Sequence, residues 1–115
     1  MKAVHIVPPP ARGRGLKQGS LPPIPPGEVL AQEFLGPLGV TQNGLARAIG
    51  VPPARVNDIV HNRRAITADT AVRLSIYFGT TIEFWINVQA QYDTRVARSQ
   101  LQPKLSRQIR PHAAA

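Results

Sequence analysis

Few side chains in this sequence are spaced for covalent or metal chemistry. The three histidines, His5, His61 and His112, lie far apart and show no metal-ligand spacing. There is no cysteine, which removes thiolate nucleophiles, thiolate metal sites and disulfides together. Glu28 and Glu33 are five residues apart, so on a helix they diverge and read as ordinary surface carboxylates. The "GRG" at residues 13–15 sits in a proline-rich stretch, with neither strand nor helix around it to build a phosphate cradle. No enzyme, cofactor or metal is expected.

What remains is hydrogen-bonding chemistry, concentrated between Gln42 and Arg64. Arg55, Asn57 and Asp58 are the candidates for base edges: Arg55 can pair with a guanine, and Asp58 can accept from cytosine or orient Arg55. Gln42, Asn43, Asn62, Arg63 and Arg64 suit phosphate oxygens, which position a protein without specifying sequence. The elements around them must hold the two sets on one face.

A helix-turn-helix does that. Such a motif needs a small residue where two helices cross, glycine four residues on in the turn, and aliphatic residues pointing back from the second helix. Ala46, Gly50, Val56 and Ile59 fill these places. Thr41 is expected to cap the first helix of the pair, with Leu45, Ala46 and Ile49 inward and Gly50 at its end. The second is expected from Pro53 to about His61, with Val56, Ile59 and Val60 inward. Pro53 then takes the first helical position, where a missing N–H is harmless, and Pro52 before it is held extended. The first residues of such a second helix meet base edges in the major groove. Pro53 and Ala54 offer apolar contact there, so polar reading falls to Arg55, with Asn57 and Asp58 beside it.

Three further helices are expected. Val29, Leu30, Phe34 and Leu35 give a first helix that Gly36-Pro37 stops. Thr67 caps a fourth, carrying Asp69 at its amino end and Ala71, Leu74 and Phe78 inward, closed by Gly79. Thr80 with Glu83 forms a capping-box pattern opening the longest helix, with Phe84, Trp85, Val88, Tyr92 and Val96 on one broad face and Pro103 as its latest end. The fold class is all-α: a five-helix domain built on a helix-turn-helix, over residues 25–100. Residues 1–24 form a flexible Pro/Gly-rich basic arm and residues 101–115 a basic flexible tail.

The formal charge of +8 does not itself argue for nucleic acid. Between Pro26 and Asp93 five arginines face six acids, so the excess sits in the flanks. No apolar run approaches the ~20 residues that span a bilayer. The opening "MKAVHIVPPPARGRG" is broken by prolines and arginines before a signal-peptide core forms. A cytoplasmic protein with no membrane partner is expected.

The stretch from residue 24 to 93 resembles the HigA (also called VapI) antitoxin family, a branch of the Cro/repressor-like (XRE) helix-turn-helix proteins. Its most specific marks are "PGEVL", "ITADTAVRL" and "FWINVQAQYD". The chain departs from the family pattern at Pro25, where histidine is frequent, and at Thr94, where an aliphatic residue is frequent. The resemblance implies a dimeric five-helix protein that binds operator DNA, represses its own operon and neutralises a HigB-type, RelE-like mRNA-cleaving toxin. The expected homodimer contact is Phe84, Trp85, Val88, Tyr92 and Val96. A regulator of the same kind without a toxin, or an interaction module with non-specific DNA affinity, are the competing readings.

Overall fold

The structure is a computed structural model that describes residues 22–113; residues 1–21 of the arm expected over 1–24 lie outside the described residues. Within them the chain is helical. Helix α1 is one run of three pieces: Pro26–Val29, a wider π-type stretch Leu30–Leu35, and Gly36–Leu38. It is followed by α2 (Gln42–Ile49), α3 (Pro53–Val60), α4 (Ala68–Phe78), α5 (Ile82–Gln100) and α6 (Gln102–Gln108). No helix among the described residues is long and apolar enough to cross a membrane.

Two sequence expectations about α1 and α5 need correction. Gly36-Pro37 does not stop α1, which continues to Leu38 and ends at Gly39 with φ 68°. A proline ring clashes with the carbonyl four residues back in a regular helix. Here the preceding turn is widened, with the Gly36 N–H donating to the Ala31 carbonyl five residues back, and the proline is accommodated. The cap of α5 is Thr81, whose hydroxyl accepts from the Phe84 N–H at 3.0 Å. The neighbouring Thr80 is engaged elsewhere, its hydroxyl accepting from the Trp85 indole Nε1 at 2.8 Å.

Other helix ends follow the sequence. The Thr41 hydroxyl accepts from the Gly44 N–H at 2.9 Å, and Thr67 accepts from the Thr70 N–H at 3.4 Å. Gly50 and Gly79 close α2 and α4 with φ 76° and 77°. A sixth helix, α6, stands where the composition predicts a flexible tail; all of its residues are exposed.

The core gathers Leu30, Phe34 and Leu35 of α1, Leu45, Ala46 and Ile49 of α2, Val56 and Ile59 of α3, and Ala71 and Leu74 of α4 around Trp85. Ring centroids of Phe34–Trp85, Phe84–Trp85 and Phe34–Phe78 each lie 4.9 Å apart in tilted or edge-on arrangements, which aromatic quadrupoles favour. Gly27, at the start of α1, meets the carboxy-terminal end of α3 backbone to backbone. A Cβ there would lie 1.9 Å from the Ile59 carbonyl oxygen. This contact locks α1 to the far end of α3.

Candidate nucleic-acid interface

The α2–turn–α3 unit is built as its spacing requires. Ala46 is wholly buried at the crossing, Val51 packs in the turn, and Val56 and Ile59 point back into the core. The N–H groups of Gly50 and Val51 both donate to the Ala46 carbonyl, at 2.9 and 3.0 Å, which fixes the turn. Pro52 is extended at φ −64° and ψ 145°, and Pro53 occupies the first turn of α3. The Arg55 N–H donates to the Pro52 carbonyl at 2.9 Å. The proline pair therefore defines the helix start, and it leaves Pro53 and Ala54 exposed at the tip with Arg55 half-buried beside them.

The polar residues singled out from the sequence are brought into two connected groups. In the first, the Asn57 amide donates to Gln42 Oε1 at 3.1 Å, bridging α3 to the amino end of α2. Asn57 Oδ1 accepts from Arg63 Nη2 at 2.9 Å, and Arg63 also pairs with Asp58 Oδ1 at 3.2 Å. Asp58 thus serves Arg63 in the loop after α3 and does not reach Arg55 beside it. In the second group Arg55 Nη1 lies 3.6 Å from Asp69 Oδ2, an oxygen that also accepts from Arg73 Nε at 3.0 Å.

Asn43 and Arg64 are exposed, with no side-chain hydrogen bond or ion pair to the described residues. Asn62 adopts a left-handed conformation, φ 61°, which asparagine tolerates better than most residues. Its amide donates to the Tyr92 hydroxyl at 2.9 Å, so a residue expected at phosphate is joined to one expected at a subunit contact.

Known proteins share this fold. The helix-turn-helix family pattern matches residues 32–85. Virulence-associated protein I of Dichelobacter nodosus is 45% identical over 85 residues, covering 74% of this chain and 79% of that protein. Antitoxin HigA-1 of Vibrio cholerae is 39% identical over 80 residues, covering 70% of this chain and 75% of its own length. The chain belongs to the HigA antitoxin family. Among solved structures, the Pseudomonas aeruginosa antitoxin HigA with higBA promoter superposes with a TM-score of 0.75 at 41% identity, over 79% of this chain and 99% of that one.

The HigA marks in the sequence now have physical meanings. Gly27 of "PGEVL" is the close backbone approach to α3. Within "ITADTAVRL", the Ile66 N–H donates to Gln89 Oε1 at 2.7 Å. Arg73 in the same motif, which sequence reasoning does not single out, joins the group of Arg55 and Asp69. Its Nη1 donates to the Ile49 carbonyl at 2.7 Å, satisfying the end of α2 as a cation near a helix carboxy terminus does. The Asp69/Arg73 spacing of four is the available signal. Of the residues expected to join two subunits, Trp85 has no exposed surface to offer and belongs to the core. Phe84 packs partly against that core, while Val88, Tyr92 and Val96 are half-exposed.

Proposed function

We propose that this chain is a HigA-type antitoxin that binds operator DNA as a homodimer, represses its own operon and neutralises a HigB-type mRNA-cleaving toxin in the cytoplasm. The observation that carries the DNA reading is the exposed start of α3. Pro53, Ala54 and Arg55 project from a helix whose opposite face is fully committed to the core. That is the end of the second helix from which this motif reads the major groove. The P. aeruginosa relative was solved with its promoter, in keeping with the same use.

Roles divide by what each side chain is free to do. Arg55 reads a base, with Pro53 and Ala54 in apolar contact beside it. Asn57 and Asp58 act first on Gln42 and Arg63, shaping the surface on which Arg55 stands. Asn43 and Arg64 carry the phosphate contacts most directly, with Gln42, Asn62 and Arg63 holding the flanks. The half-exposed Val88, Tyr92 and Val96 join the subunits, which sets the recognition helices about 34 Å apart for half-sites one turn of DNA apart.

The test separates reading from holding. Arg55→Ala should lower affinity for the operator by ~1–3 kcal/mol and relax sequence preference, whereas Arg64→Ala should weaken all sequences alike and flatten the salt slope by about one. Equal losses on operator and random duplexes for both variants would contradict the assignment. The toxin half is tested by co-expression: growth arrest by a RelE-like protein encoded beside this gene should be relieved by this chain.

A further inference from the structure

We infer that Asp69 is a specificity-determining residue, which holds the Arg55 guanidinium in place for a base and withholds its charge from phosphates. The inference rests on the operator-binding reading above. Asp69 meets Arg55 of α3 directly and α2 through Arg73. Arg73 of α4 is anchored by the Ile49 carbonyl at the end of α2, at 2.7 Å, and by a longer 3.4 Å contact to the Gly50 carbonyl. From there its Nε reaches Asp69 Oδ2 at 3.0 Å, in the i,i+4 geometry that suits a helix face. Asp69 is therefore fixed relative to α2, and its Oδ2 lies 3.6 Å from Arg55 Nη1 of α3, an ion pair longer than a hydrogen bond.

The consequence lies in what the pair leaves available. A guanidinium has five donors in a planar fork. One amino group of Arg55 faces Asp69, so the rest of the fork stays free for the two acceptors of a guanine edge. An arginine without a fixed partner sweeps a wide volume and pairs with any phosphate in reach. The Asp69 carboxylate, itself 59% exposed, also repels a phosphate approaching Arg55. Both effects penalise sequence-independent contact and leave the base contact open. Specificity gained by disfavouring the wrong partner is a general device. Among the described residues nothing comparable constrains Arg64, which is left to bind backbone.

The experiment uses the full chain and two duplexes, its own upstream region and a shuffled version, titrated over a range of salt. Asp69→Asn should bind the shuffled duplex more tightly, steepen its salt slope by about one, and lower the specific-to-shuffled ratio about tenfold. Asp69→Glu, which keeps the carboxylate, should recover most of that ratio. Adding Asp69→Asn to Arg55→Ala should change the ratio no further. A merely structural role would lower the melting temperature and weaken both duplexes equally, and that result overturns the inference. So does a wild-type ratio and slope in a well-folded Asp69→Asn. If the wild-type chain itself shows no preference, the DNA reading fails and this inference with it; a selective wild type beside an equally selective Asp69→Asn removes this inference alone.

Discussion

At the scale of single residues, the polar side chains near α3 fall into those bound to the protein and those left for a ligand. Asn57 shows why sequence cannot separate them. Its type suits an adenine, yet Gln42 and Arg63, fifteen and six residues away, take both ends of its amide. Asp69 is legible as a helix-start carboxylate, but its meeting with Arg55 depends on how α4 packs against α2, from which the turn carries α3. Gly27 is legible as part of a family mark without a reason; the Ile59 carbonyl supplies one. Gly27→Ala forces a Cβ into backbone that cannot swing aside. It should cost about 3 kcal/mol and lower the melting temperature by more than about 10 °C, measured by thermal unfolding.

At the scale of elements, the helices that can be read are those whose ends carry their own signals. Thr41, Thr67, Gly50, Gly79 and the Pro52-Pro53 pair all act locally, and each marks its boundary in the structure. The boundary at Thr80-Thr81 is ambiguous in sequence because two adjacent threonines can each cap, and tertiary packing assigns the hydroxyls. Trp85 claims Thr80, so the cap passes to Thr81 and the third helical residue becomes Phe84, which has no carboxylate to return. Thr81→Ala should then cost about 1 kcal/mol. Thr80→Val should cost ~1–3 kcal/mol by leaving a buried indole N–H without an acceptor. Denaturant unfolding of the two variants checks both values. In α1, a widened turn carries the chain past Gly36-Pro37, which a reading of single residues takes as a stop.

At the scale of the whole molecule, charge and function are kept apart. The helix-turn-helix lies in the stretch from Pro26 to Asp93, where five arginines meet six acids, while nine of the fourteen cations flank it. Two of those six acids, Asp58 and Asp69, sit on arginines beside the proposed DNA face. Close contacts must then carry sequence preference, with the flanks adding attraction that salt screens. Removing residues 1–21 takes away Lys2, Arg12, Arg14 and Lys17. Binding to random duplex should weaken and its salt slope should flatten, while preference for the chain's own upstream DNA persists; paired titrations on the two duplexes check this.

A mobility shift of the purified full chain on its own upstream region, against a shuffled duplex at two salt concentrations, decides whether the exposed start of α3 reads sequence. Retention of the upstream region at the higher salt, after binding to the shuffled duplex has gone, is the predicted result. Equal binding to both that disappears with salt would contradict the account, for then the flanking cations alone hold DNA and the exposed start of α3 reads nothing.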